Sequence, residues 1–292
     1  MSPFFEVEHK YDLIIDTMAY AASALSFMLE NLGKTVVFTG SQIPFCHVYN
    51  DARRNLIVSI IFAANSECSE VCICFNDKIL RANRTMKVNS VGLDAFDSPN
   101  YPPLATIEAS IRINRELCLR PPRGAFRLHK TLNSKVIVLK LVPGFDDSMI
   151  HALIAHSTEL KAVVLEMYGT GNGPSSKESL LSAIKMAKEK GMVVVAISQC
   201  LRGGVALETY SMGREFQKAG VVSGGDMTTE ACTTKLAYLF GTVSDPNIIS
   251  QLVGRSIRGE ITMASLTSPT TSSTSVSTIV DDIAMNTPHS RL

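Results

Sequence analysis

The sequence has almost no net charge and no long basic run. Its 28 Lys and Arg stand against 27 Asp and Glu, a formal charge of +1. That balance builds no field of the kind a phosphate backbone requires, so nucleic acid is excluded as a partner. A long apolar run is missing as well. Every hydrophobic stretch is broken by Gly, Asn or a charged residue before the roughly 20 residues that cross a bilayer, and no membrane association is expected. The opening residues, MSPFFEVEHKYDLII, set polar and acidic side chains ahead of a short apolar run, which is not the layout of a secretory leader. The seven cysteines are an odd number, spread over 292 residues, a length that holds one large or two medium cores without staples. No disulfide framework is expected, and a reducing, cytoplasmic compartment fits best.

Metal and nucleotide signatures are absent too. The six histidines (His9, His47, His129, His151, His156, His289) make no spaced ligand set and pair with no elbow serine, so metal binding and Ser-His-Asp hydrolysis are both disfavoured. Cys72 and Cys74 alternate within VCICF, which puts both on one face of a strand, where they read as small core residues. The three glycines of MYGTGNGPSSKES (167–179) suggest a phosphate cradle, but neither the G-x-G-x-x-G fingerprint nor a Walker ending is present. This stretch reads better as a permissive strand-to-helix connection, with Ser175 or Ser176 as the cap and Glu178 in the first turn. No cofactor is expected.

What the chain does have is an alternation of short apolar runs and helical segments. YDLII (11–15) predicts a strand, the following residues to Asn31 predict a helix with Asp16 at its start, and KTVVFTG (34–40) predicts a buried strand after Gly33. Residues 55–65 fit a helix by position, since the strand EVCICFN (70–76) follows. A second series begins after the Pro, Gly and Arg-rich bridge CLRPPRGAFRLHKTLNS (118–134). Strands are predicted at 136–142, 162–168, 192–198 and 221–225, with helices near 147–156, 176–191, 206–219 and 228–241. Strands of this kind separated by helices imply parallel sheets covered on both faces. The expected organisation is an opening domain over 1–117, a linker over 118–135, a second domain over 136–260 and a disordered Ser/Thr-rich tail over 261–292.

In open parallel sheets ligands lie beyond the carboxyl ends of the strands. The residues placed there are Asp16 and Thr17, Gly40 to Gln42, Asn76 and Asp77, then Tyr168 to Gly173 and Gln199. Asp16 either caps its helix or accepts an ammonium group from a ligand. The segment LRANRTMKVNS (80–90) gathers Arg81, Arg84 and Lys87 beside Thr85; it is either a solvated basic loop or a source of a lysine that eases deprotonation of a hydroxyl. FTGSQIP (38–44) is either a structural turn or a ligand loop offering Ser41 and Gln42.

Taken in order, several long segments resemble the cytoplasmic, type I branch of the L-asparaginase family, close to the asparaginase domain of animal homologues. They are DTMAYAASALSFMLENLGKTVVFTGSQIP (16–44), DARRNL (51–56), VCICFNDKILRANRTMKVNSVGLDAFDSPNYPPLATI (71–107), VVLEMYGTGNGP (163–174) and VVSGGDMTTEACTTKLAYL (221–239). The resemblance implies a two-domain α/β asparaginase-like fold and hydrolysis of L-asparagine to L-aspartate and ammonia without a cofactor. It also implies a homodimer or homotetramer with sites completed across the intimate pair. On the matching positions, Asp16 would hold the substrate's α-amino group and Lys87 would be the catalytic lysine. Ser41 and Gln42 would line the pocket, with Asn83 and Arg84 ahead of the lysine.

The departures concern the nucleophiles. The family's glycine-rich threonine motif and its tyrosine have no counterpart before Asp16, and the Gly-Thr that precedes the aspartate in the family is replaced by Ile14-Ile15. Thr17 matches the threonine after the aspartate, with a rescue role left open. The resulting expectation is an N-terminal domain that is incomplete, its catalytic segment missing from a truncated product. The alternative is a derived homologue that binds an amino acid without turning it over. Negligible activity follows from either.

Overall fold

The structure is a computed structural model that describes residues 10–262 except Phe145, Ser175 and Ser176, with the side chains of residues 10–14 and Lys177 also outside the description. The tail expected to be disordered lies, from residue 263 on, outside the described residues, as does the cap assigned to Ser175 or Ser176. Contacts divide the chain into two units between His129 and Lys130. Among the described residues no helix is long and apolar enough to cross a membrane.

The first unit runs α1 (Lys10–Met28), β1 (Leu29–Glu30), β2 (Val36–Thr39), α2 (Ala52–Asn65), β3 (Val71–Phe75), β4 (Lys78–Arg81), β5 (Met86–Lys87), β6 (Phe96–Asp97), β7 (Ala105–Ile107), β8 (Ile111–Ile113) and β9 (Arg127–Leu128). Its main sheet has the order β2-β3-β4-β7-β8. β3 is the central slab, buried at every residue. Its alternation assigns Val71, Ile73 and Phe75 to α1, where Met18, Ala19 and Ala22 pack, and Cys72 and Cys74 to α2, where Val58 and Phe62 pack. The two cysteines therefore face the core together, as period two predicts. Each fully buried side chain of this kind stabilises the unit by roughly 1.5–3 kcal/mol. The outward face of α2 leaves Leu56, Ile57, Ile60 and Ile61 exposed.

Four expectations need correction in this unit. Residues 11–15 are not a strand but the beginning of α1, which starts at Lys10 and places Asp16 within the helix instead of at its cap. β2 is half-buried, because among the described residues it lies at an end of the sheet with β3 as its one pairing strand. Nor is the sheet parallel throughout. β2 and β3 run parallel across the α2 crossover, whereas β3-β4, β4-β7 and β7-β8 are antiparallel. For β3-β4 the cause is connection length: a two-residue hairpin, with Asn76 at φ 52°, joins the strands, and a parallel return needs a dozen residues or more. Finally, the opening domain is not the incomplete one expected. From Ile15 on, its residues form a folded α/β unit with a helix on each face of the sheet.

Cysteine chemistry also differs from expectation. Cys68 and Cys118 form a disulfide, their Cα atoms 5.3 Å apart, tying the residues before β3 to those after β8. Next to it runs a buried ion pair. Arg81 Nε donates to Glu70 Oε2 at 2.5 Å, Arg81 Nη2 donates to the Leu117 carbonyl at 2.7 Å, and Glu70 accepts the Leu119 N–H at 2.8 Å.

The second unit is the simpler one. It runs β10 (Val136–Lys140), α3 (Ser148–His156), β11 (Ala162–Met167), α4 (Lys177–Glu189), β12 (Val193–Ser198), α5 (Ser211–Ala219), β13 (Val221–Ser223), α6 (Thr229–Thr242) and α7 (Pro246–Val253). The sheet β10-β11-β12-β13 is parallel throughout, as the alternation of segments implies. α3, α4 and α5 cover one face through Ile150, Ile154, Leu180, Ile184 and Phe216. α6 and α7 lie against the strands as well, and bury Leu236, Tyr238, Leu239 and Leu252. Gly220 ends α5 at φ 109°, a conformation that costs a side chain strain, and its N–H bonds the last free carbonyls.

Candidate active site

Of the residues singled out in the first half of the chain, Asp16 comes to the loop after β2 through its neighbour Ile15, and Lys87 comes to Asp16. Ile15, on α1, rests on Gly40: a Cβ built there would come 3.0 Å from Ile15 Cγ1, so this approach depends on glycine. That contact places the residue before Asp16 against the residue before Ser41. Lys87, at the end of β5, forms an ion pair with the Asp16 carboxylate; the lysine side chain is 17% exposed and the aspartate 71%. Thr17 is exposed on α1 beside it. Asp16 and Lys87, far apart in sequence, are thus brought together.

Gln42 is held from two directions. Its backbone N–H donates to Asp51 Oδ2 at 3.0 Å, and its side-chain Nε2 donates to the Gly92 carbonyl at 3.0 Å. The stretch from Gly40 to Gln42 is therefore an ordered loop next to the ion pair.

Residues 80–90 are not the solvated basic loop. Arg81 and Arg84 are 4% and 2% exposed, stacked 4.4 and 5.2 Å from the ring centre of Tyr101. Arg84 Nη2 also donates to the Asn100 carbonyl at 2.9 Å, and Asn83 is buried in the same short 3₁₀ turn, Ala82–Arg84. Thr85 is buried with its hydroxyl donated to the Arg81 carbonyl at 2.7 Å. Of the three cations in this segment, Lys87 is the one that reaches the candidate site. Burial pulls the Arg81 guanidinium down, but the charge and hydrogen bonds of Glu70 outweigh it and hold the group protonated well above its ordinary range.

Three other loops carry structural bonds. Asn76 and Asp77 form the β3-β4 hairpin turn, and Asp77 pairs with Arg54. In the second unit Gln199 brackets two strand ends, its Nε2 donating to the carbonyls of Leu141 and Glu166 at 2.6 and 2.8 Å. Tyr168 and Asn172 close the glycine loop by a β-bridge, with Gly169 and Gly171 at φ 50° and 119°. Sequence reasoning missed Asp51 and Asn89 at the site. The signal for Asp51 was an acidic residue directly ahead of a helix, read only as part of a matching segment.

Comparison with known proteins bears on the family and the fold. The family model described as Asparaginase, N-terminal matches residues 15–119, and that described as Glutaminase/Asparaginase C-terminal domain matches residues 135–253. The first match also overturns the expectation of a truncated N-terminal domain, since it begins at Ile15 and runs through the folded unit. The chain is 42% identical over 251 residues to the 60 kDa lysophospholipase of Mus musculus, covering 85% of this chain and 44% of that protein. It is 41% identical over 249 residues to L-asparaginase 1 of Escherichia coli (strain K12), covering 85% of this chain and 72% of that one. The chain thus spans less than half of the mouse relative and nearly three quarters of the bacterial one. Among solved structures, L-asparaginase I from Vibrio cholerae superposes with a TM-score of 0.80 at 38% identity, over 85% of this chain and 74% of that one. From the paired matches, the identity and the shared fold, the chain belongs to the asparaginase family of hydrolases.

Proposed function

We propose that the Asp16-Lys87 site takes L-asparagine or L-aspartate, and that this chain binds them far better than it hydrolyses the amide. The observation that carries this reading is the ion pair itself. In the proposal the Asp16 carboxylate receives the ligand's α-ammonium group, which is the charge-assisted pairing such a group favours. Ser41 and Gln42 offer the polar lining.

Covalent amide hydrolysis needs a hydroxyl to attack the amide carbon, expel ammonia and leave an ester for water to cleave, and a base within hydrogen-bond reach must take the hydroxyl proton. Among the described residues, the partner of Lys87 Nζ is the Asp16 carboxylate. The position before Asp16 carries Ile15, which has no hydroxyl to give. Thr17 is the neighbouring hydroxyl, and a rescue by it is the second reading.

Calorimetric titration should show both amino acids binding, with ammonia release from L-asparagine near background. Ammonia release by the unaltered chain that Lys87→Ala abolishes would sink the binding-only reading, and its further loss in Thr17→Val would assign the work to Thr17. Ile15→Thr should raise ammonia release at least tenfold; no rise places the missing hydroxyl elsewhere.

The same reading treats residues 118–135 as the linker, the cytoplasm as the compartment and a homodimer or homotetramer as the working state. The exposed stripe Leu56, Ile57, Ile60 and Ile61 favours self-association. Sedimentation velocity showing a monomer at all concentrations would remove that part.

A further inference from the structure

Asp51 stands at the start of α2, where a carboxylate ordinarily caps its own helix. It makes no such bond. Its two oxygens turn back instead: Oδ2 accepts the Gln42 N–H and Oδ1 accepts the Ile43 N–H, each at 3.0 Å. Asn55, one turn further along α2 and 2% exposed, completes the cradle. Its Nδ2 donates to the Gly40 carbonyl at 2.9 Å and to Asp51 Oδ2 at 3.3 Å. Ser41 is therefore bracketed, with the residue before it held by Asn55 and the residue after it held by Asp51.

Gln42 passes this constraint on. Its side chain donates to the carbonyl of Gly92, whose own N–H, like that of Val91, is accepted by Asn89 Oδ1 at 2.9 Å. Asn89 Nδ2 donates to Asp94 Oδ1 at 3.1 Å, and the N–H groups of Val88 and Asn89 donate to the Ala95 carbonyl at 2.8 and 3.3 Å. This second loop leaves β5 immediately after Lys87. Two loops of the first unit, one after β2 and one after β5, share one anchor.

We infer that Asp51 is a positioning residue for the amino-acid site, fixing the backbone that follows Ser41 through the Gln42 and Ile43 N–H groups and the loop after Lys87 through the Gln42 side chain. The inference rests on the reading of Asp16 and Lys87 as that site. Backbone N–H groups aimed at an ionised carboxylate make strong, directional bonds, so the loops are set before a ligand arrives and binding does not have to order them.

The test uses the full chain with Asp51→Asn, which keeps the shape but turns one accepting oxygen into an amide group facing a backbone donor. Hydrogen exchange at Gln42 and Ile43 should speed at least tenfold, exchange at Val91 and Gly92 should speed as well, and calorimetric affinity for L-aspartate should fall at least tenfold. Asp51→Glu keeps the charge on a longer arm and should fall between wild type and Asp51→Asn; it also serves if the asparagine variant does not fold. Asp245→Ala removes the cap of α7, where Asp245 Oδ1 accepts the Asn247 N–H at 2.8 Å. It should lower the melting temperature and leave L-aspartate affinity unchanged, which separates positioning from general stability. Wild-type binding that Asp51→Asn leaves within twofold overturns the inference alone. Faster exchange at Gln42 without any change at Gly92 overturns the relay. A wild-type chain that binds neither amino acid overturns the site reading together with the inference, whichever way exchange turns out.

Discussion

Each unit contains a buried ion pair, and the two pairs differ in what they restrain. In the second unit Lys235 and Glu260 are both fully buried and 2.6 Å apart. Lys235 Nζ also donates to the carbonyls of Val253 and Arg255, at 2.8 and 2.5 Å, while Glu260 accepts the N–H groups of Ile257 and Arg258. The pair bolts the turn after α7 to α6. In the first unit Arg81, at the end of β4 and six residues ahead of Lys87, pairs with Glu70 just before β3, and the two hold the chain at Leu117 and Leu119. One pair closes a turn; the other lies on the chain that runs on to Lys87. The contrast teaches that an ion pair's burial decides its cost of removal, while its neighbours decide whether function notices.

The sharpest way to break that contrast is Lys235→Met. Removing one member of a fully buried pair strands the other, at a cost of about 3–5 kcal/mol. Chemical denaturation should show this loss without any change in L-aspartate affinity, and a loss under 1 kcal/mol would mean that Glu260 finds another partner. The pair also predicts acid sensitivity. Burial pushes the Glu260 carboxyl up, but the Lys235 charge, its hydrogen bond and the backbone N–H groups outweigh that and hold it below the usual range. A depressed folded value means that the stabilisation is fully present above the unfolded value of about 4.3 and is lost as pH falls through the lowered one. Lys235→Met should therefore flatten the acid limb of the stability profile.

In the first unit the corresponding large effect is the disulfide. Cys68 and Cys118 close a loop with a sequence separation of 50. Loop-closure entropy for that length gives about 4 kcal/mol, and measured bridges of this class run at about 2–4. Cys68→Ala with Cys118→Ala, or reduction by dithiothreitol, should lower stability by that amount, read by urea denaturation. An unchanged midpoint would show that Arg81 and Glu70 hold the segment unaided.

The units differ in legibility for the same reason they differ in topology. In the second, each strand is followed by its own helix and pairs with the next in the chain, so local apolar periodicity was enough to place β10 to β13 and α3 to α6. α7 was missed although Asp245-Pro246 is a helix-start signal, with the aspartate side chain accepting the Asn247 N–H and proline in the first turn. In the first unit, antiparallel pairs such as β4-β7 join residues well apart in sequence, and no local pattern announces them. The Cys68-Cys118 bridge is of that kind. At the site, resemblance placed Asp16 and Lys87, but the burial of Arg81 and Arg84 was not legible: a run of cations reads as solvated until Glu70 and Tyr101 are seen to lie against it. The YDLII strand failed because its apolar residues are continuous with a helix that begins at Lys10, ahead of the whole segment.

A smaller effect probes the contact that brings α1 to the site. Gly40→Ala puts a methyl group 3.0 Å from Ile15 Cγ1, close enough that the isoleucine must shift. Overpacking of this sort costs about 1–3 kcal/mol. Ile15→Ala on the same chain should recover part of the loss, and a double-mutant cycle with no coupling would show that the two residues do not restrain each other.

The smallest expected change in stability belongs to Lys87→Ala, and it completes the comparison of ion pairs. Lys87 is mostly buried but Asp16 is 71% exposed, so water keeps the carboxylate solvated when its partner is gone. Exposed pairs of this kind contribute about 0–1 kcal/mol, and the urea midpoint should barely move. L-aspartate affinity should nonetheless fall about tenfold, which corresponds to about 1.4 kcal/mol, because the lysine supplies the charge that sets the Asp16 carboxylate at the mouth of the site. Lys235→Met should do the reverse, with a large loss of stability and unchanged affinity. If Lys87→Ala instead destabilised the fold by several kcal/mol and left affinity alone, the Asp16-Lys87 pair would be a structural bolt like the one beneath α6, and the site would have to be sought elsewhere.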